Sequence, residues 1–147
     1  MKNLMSDAEL IRHSNAVVAG TTDIEPAAGV DTADCEGVLF IVSLGAITAG
    51  AVTSVKAQQS SAADGAGDAF ADLEGSEIAV ADDDDNQLVY VDVRRPTERF
   101  VRCVVARGTE NAVVDGITAI KYGLRKRPAT QGATVVGGKI VAGPDEA

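Results

Sequence analysis

Tryptophan is absent from this 147-residue chain, aromatic residues make up only 3% of it, and it has one histidine and two cysteines. Each shortage removes a class of function. Carbohydrate platforms and single-stranded nucleic-acid grooves rest on exposed aromatic faces. Here only Phe40, Phe70, Tyr90, Phe100 and Tyr122 are on offer, mostly inside apolar strand-like runs. A Ser–His–Asp or Cys–His nucleophile would have to use His13, and no neighbour in the sequence supports that role. Cys35, Cys103 and His13 share no zinc-ligand spacing. The two cysteines, isolated in apolar runs, read as buried free thiols of a reducing compartment, although sequence alone leaves a disulfide between them open. Gly65-Ala66-Gly67 lacks the third glycine of a dinucleotide loop and the Lys-Ser/Thr of a phosphate loop. These shortages predict no catalytic residues, no metal and no cofactor, so the chain is not expected to be an enzyme.

Long apolar runs are missing as well. None approaches the ~18 residues of a membrane span, and "MKNLMSDAELIRHSN" is cut by Asp7, Glu9 and Arg12. Neither a membrane partner nor a signal peptide is expected. Basic residues are scarce over 1–93, which hold three against 17 acidic ones, net −14; residues 94–147 hold ten against five, net +5. The overall −9 argues against a general nucleic-acid binder. The imbalance suggests two opposed surfaces, one fit to dock on a neighbour of complementary charge.

What the chain does have is valine, alanine and glycine in short runs. Hydrophobic residues reach 46%, too many for a disordered chain. Branched side chains suit a pleated sheet, and strand-like runs fall at 16–24, 37–47, 51–59, 68–73, 76–81, 87–93, 99–108 and 111–124. Period two is visible in 51–59, where Thr53, Val55 and Ala57 alternate with Ser54, Lys56 and Gln58. "VLFIVSL" is apolar on both faces, as a central strand requires. Eight short strands with turn residues between them predict an all-β fold, a sandwich or barrel, over residues 16–127.

Both ends read as arms. In residues 1–15, Ser6-Asp7-Ala8-Glu9 matches a capping box and predicts a short helix through about His13. After Lys126-Arg127-Pro128 the chain loosens at Gly132, Gly137, Gly138 and Gly143 but stays sticky at Val135, Val136, Ile140 and Val141. Residues 128–147 therefore read as an extended arm that orders against a partner, with a final edge strand of the same domain as the alternative.

Two charged clusters remain. Asp82-Asp83-Asp84-Asp85 lacks the alternating ligands, glycine and distant glutamate of a calcium loop. It reads as a hairpin turn between 76–81 and 87–93, kept solvated by its charges, with loosely held calcium the lesser reading. Arg94, Arg95, Arg99, Arg102, Arg107, Lys121, Arg125, Lys126 and Arg127 form a basic set without aromatic interleaving. Salt bridges to a protein partner are the expected use. Arg102 and Arg107, five apart, are expected to face opposite sides of a regular strand.

At "EGVLFIVSLGAIT", "VKAQQSSAADGAGDAFADLEGS", "VDVRRPTERFVRCVV" and "NAVVDGITAIKYGLRKRPA", spanning about Glu36 to Thr130, the sequence resembles small virion proteins of tailed bacteriophages, the capsid cement or decoration proteins of jelly-roll fold. The resemblance implies a jelly roll that binds the outer capsid surface at junctions of the major capsid protein, works as a homodimer or homotrimer, and locks the expanded shell. It implies localisation to the virion after synthesis in the host cytoplasm, and no catalytic residues. The glycine-rich tail and the pure aspartate run depart from it. Rival readings are another virion part, such as a head–tail connector or tail component, and a ligand-binding β-sandwich.

Overall fold

In the computed structural model, which describes residues 3–143, a single helical turn precedes ten strands. These are α1 (Leu4–Asp7), β1 (Ala8–Ser14), β2 (Val17–Gly20), β3 (Val30–Asp31), β4 (Gly37–Ile47), β5 (Val52–Ser60), β6 (Ala71–Asp72), β7 (Ile78–Val80), β8 (Leu88–Arg94), β9 (Phe100–Gly108) and β10 (Ala112–Tyr122). The long strands form where branched residues recur at alternate positions, so β4, β5, β8, β9 and β10 fall nearly at the expected bounds.

Two antiparallel sheets pack face to face, one ordered β1-β10-β4-β8 and the other β3-β9-β5-β6. β2 also lies on β10, beyond β1, and β7 lies on β5 beside β6. If β1 with β2, and β6 with β7, are each taken as one strand, the orders become one-eight-three-six and two-seven-four-five. That is a jelly roll. Between the sheets, Val38, Phe40, Val42 and Leu44 of β4 meet Val55 and Ala57 of β5 and Val101, Cys103 and Val105 of β9, all buried. Each fully buried valine or phenylalanine contributes roughly 1.5–3 kcal/mol relative to exposure. Cys35 and Cys103 are both buried and free, without a disulfide.

Three expectations need correction. The helix through His13 does not form. Asn3, not Ser6, caps a four-residue turn by accepting the Ser6 amide at 2.8 Å, and residues 8–14 run as a strand against β10. Local capping chemistry lost to pairing along β10, six residue pairs long, which a single helical turn cannot match. The run 16–24 contains only the short β2 and an isolated bridge of Ile24 to Val105, and 68–73 only the two-residue β6. Finally, Asp82–Asp85 is not a hairpin turn. β7 pairs with β5 and β8 with β4, so the aspartates arch from one sheet to the other.

The C-terminal segment after β10 has no helix or strand up to Gly143, and it lies first against its own domain. Ala129 N–H donates to the Ser6 carbonyl (2.9 Å), and Leu10 N–H to Gln131 Oε1 (2.8 Å). Gln131 Nε2 donates to the Ala8 carbonyl (2.9 Å), and Arg12 N–H to Thr134 Oγ1 (3.2 Å). Side chains of the tail thus take the place of a further strand on the outer edge of β1. Residues 144–147 of the expected arm lie outside the described residues.

Candidate functional site

The loop 32–36, the loop 95–99 and the exit from β10 meet at one end of the sandwich. They surround an open cleft of about 610 Å³ whose lining includes Thr32, Cys35, Glu36, Arg95, Arg99 and Arg125. The chain leaves β10 through Gly123, whose φ is +63° and where an added Cβ would come within 2.5 Å of the Glu36 Cβ. Only glycine fits both constraints. Arg95 also adopts a left-handed backbone, φ +50°, a cost that a non-glycine residue bears only when its surroundings hold it there. Its amide donates to the Glu36 carbonyl at 2.8 Å, which continues the β4–β8 ladder into the cleft.

Glu36 receives Arg94 Nη2 at 3.2 Å and Arg95 Nη2 at 3.4 Å. Arg99 grips Asp31 with two parallel bonds of 2.9 and 2.8 Å. The hydrogen bond from Arg99 is the first cause holding the Asp31 carboxyl below its usual range. The side chains of Arg94, Arg95 and Arg99 remain more than half exposed, so solvent screens these pairs and they contribute little to stability. They can exchange an internal carboxylate for one on a partner at low cost. Arg125 and Lys126 are exposed beside them.

Of the basic set only Arg95, Arg99 and Arg125 line this cleft, and four members are engaged elsewhere in the fold. Lys121 is buried with Asp34 at 2.6 Å and Glu9 at 3.3 Å. Burial works against its ammonium, but the two carboxylates outweigh that and raise its pKa. Arg127 pairs with Asp7 at 3.1 Å. Arg102 lies over the Phe70 ring, 4.3 Å from its centre, and donates to Gln58 and to the Pro26 carbonyl. Arg107, on the opposite side of β9 as expected, is buried and donates to the carbonyls of Thr22 (2.7 Å), Val18 (2.9 Å) and Ala112 (2.7 Å). Arg102 and Arg107 thus hold loops of their own chain. Their partners Pro26, Val18 and Thr22 are distant in sequence and offer only backbone carbonyls, so residue type gave no signal.

His13 is likewise structural in its contacts. Its ring packs 5.0 Å from that of Phe40, and Nε2 accepts the Cys103 amide at 3.1 Å. That amide lies on β9 between the β3 pairing at Val101 and the bridge at Val105, so the imidazole fills a gap in the ladder. Burial, and next Arg102, lower its pKa to about 4. Burial pushes the Cys103 thiol up to about 12 and also raises Cys35. Neither is a thiolate nucleophile near neutral pH.

At the other end of the sandwich, Asp82 accepts the Gly50 amide at 2.6 Å, Asp85 accepts the Ile47 amide, and Asp84 accepts that of Ala81 at 2.9 Å. Two of the four carboxylates therefore fasten the inter-sheet arch to the β4–β5 turn. Among the described residues, no three or more His, Cys, Asp or Glu side chains are grouped to hold a metal ion. Asp85→Ala and Asp82→Ala are each expected to cost about 1 kcal/mol, and Asp83→Ala less than about 0.5 kcal/mol, in urea melts. Added calcium is expected to leave these three melts and that of the natural protein unmoved.

Comparison with protein-family models, curated proteins and solved structures finds no match for this chain.

Proposed function

We propose that this protein is a bacteriophage virion structural protein, a capsid cement or decoration protein that binds the major capsid protein shell from outside and stabilises it. The observation that carries the reading is the tail. Beyond Thr134, Val136, Ile140 and Val141 are exposed, Val136 fully, on a segment with no strand or helix. Such residues gain burial only by meeting another surface. The resemblance over Glu36 to Thr130 supplies the kind of surface, and the jelly roll agrees with it.

The arginine-rimmed cleft supplies a second contact. Arg94, Arg95, Arg99 and Arg125, with Lys126, meet acidic groups on the shell or on a sister subunit, because planar guanidinium pairs well with carboxylates at interfaces. Many copies per shell multiply modest contacts through avidity.

The test is to strip the protein from particles, measure the temperature and osmotic shock at which shells rupture, and add it back. Stoichiometric rebinding with restored resistance is expected, and weakened by Arg94→Glu with Arg95→Glu. Unchanged resistance after stripping, or rings of six or twelve at one vertex, would sink the proposal; the rings would favour a connector.

A further inference from the structure

The two edges of the sheet β1-β10-β4-β8 are treated differently. The β1 edge is occupied by Gln131 and Thr134, which satisfy the outward amides of Leu10 and Arg12. Among the described residues, the β8 edge has no such cover. Arg95 N–H bonds to the Glu36 carbonyl and Leu44 N–H to the Gln87 carbonyl, which fixes the parity of the ladder. Val89, Val91 and Val93 therefore bond to β4, and the N–H and C=O groups of Leu88, Tyr90, Asp92 and Arg94 point away from it, where no strand of the described residues lies. The segment Leu73–Ile78 of the other sheet stands off from this edge and leaves an open groove of about 470 Å³ along Tyr90 to Arg94. Natural sheets avoid a bare edge of this length unless something pairs with it.

We propose that the occupant is β8 of a second copy, joined antiparallel about a two-fold axis through Val91. The strand is self-complementary in this register. Leu88 stands opposite the partner's Arg94 and Tyr90 opposite the partner's Asp92, with no like charges facing. A register shifted one way would instead set Asp92 against its own copy, a repulsion across the axis. All seven residues of β8 overlap. Four outward-facing pairs, each with two bonds, add about eight backbone hydrogen bonds. Tyr90, 68% exposed in the single chain, becomes a diagonal neighbour of its symmetry mate across the axis. The two sheets become one, continuous across the dimer. The pairing needs no shell and forms in the isolated protein, so its test is separate from that of the shell-binding function.

Proline separates edge from ladder. The Tyr90 N–H points outward, so Tyr90→Pro removes a bond only from the dimer, since proline is tolerated on a free edge. Light scattering during size exclusion is expected to give twice the chain mass for the natural protein and the chain mass for Tyr90→Pro, with unchanged circular dichroism. As a check that does not depend on that variant folding, Tyr90→Cys and Asp92→Cys proteins are mixed under mild oxidation. They are expected to form the mixed disulfide in preference to either homodisulfide. A natural protein that is monomeric or trimeric, a folded Tyr90→Pro variant that stays dimeric, or oxidation products without the mixed species would overturn the proposal.

Discussion

Replacing Arg107 with alanine is expected to destabilise the fold by about 3–5 kcal/mol, read as a lowered urea midpoint at unchanged slope. The guanidinium is buried and donates to three carbonyls, those of Val18, Thr22 and Ala112. Among the described residues it makes no ion pair within 4 Å, so its side chain acts through charge-assisted bonds to backbone, each worth roughly 1.5–3 kcal/mol before reorganisation. Alanine leaves three acceptors in a dry space that water enters only by loosening β2 and the loop to Asp23. Gly20 is part of the same packing, because an added Cβ there would lie 3.2 Å from Arg107 Nη2. Arg107→Lys keeps the charge but not the planar fork, and is expected to fall between the two. If Arg107→Ala melted like Arg94→Ala, an exposed control, the cross-link would have no energetic weight.

The second large effect is with pH. His13 has a folded pKa of about 4 against 6.5 in the unfolded chain, so the unfolded state binds the proton first. Stability is therefore complete above about pH 6.5, falls as pH drops toward 4, and flattens below that. At about 1.36 kcal/mol per unit, the total loss is about 3 kcal/mol. Protonation removes the lone pair that accepts the Cys103 amide and places a charge beside Arg102. His13→Gln keeps an acceptor within reach and cannot titrate, so its stability is expected to stay level over this window. Equilibrium unfolding across the pH range checks it, and a slope retained in His13→Gln refutes the assignment. The carboxyl of Asp31, held low chiefly by Arg99, makes its own loss only below its ordinary value of 3.8.

The strands of this protein are written in local pattern, and their partnerships are not. Branched residues at alternate positions placed β4, β5 and β8 to β10 correctly, because period two is a property of one strand. Whether Asp82–Asp85 turns back as a hairpin or crosses to the opposite sheet depends on what β7 and β8 each pair with, and both arrangements look alike in sequence. The segment Ala8–Ser14 was missed for a related reason. Its inward positions carry Glu9 and His13, polar residues that suit a core only because Lys121 and the Cys103 amide wait for them. The basic set shows the same division. Its concentration after residue 93 was plain, and Arg95, Arg99 and Arg125 do gather at one cleft, with Arg94 beside it on Glu36. That Lys121 and Arg107 are buried depended on carboxylates and carbonyls scattered from residue 9 to residue 112.

The tail along β1 has a consequence for how far assembly can go. A sheet with one sealed and one open edge has a valence of one, so joining through β8 closes at two copies and stops. A chain lacking Gln131 and Thr134 would expose the amides of Leu10 and Arg12 and acquire a second open edge. Two open edges per molecule permit edge-to-edge growth without limit. On the proposed β8 pairing, the glutamine and threonine that look like minor surface contacts set the difference between a closed dimer and a fibre.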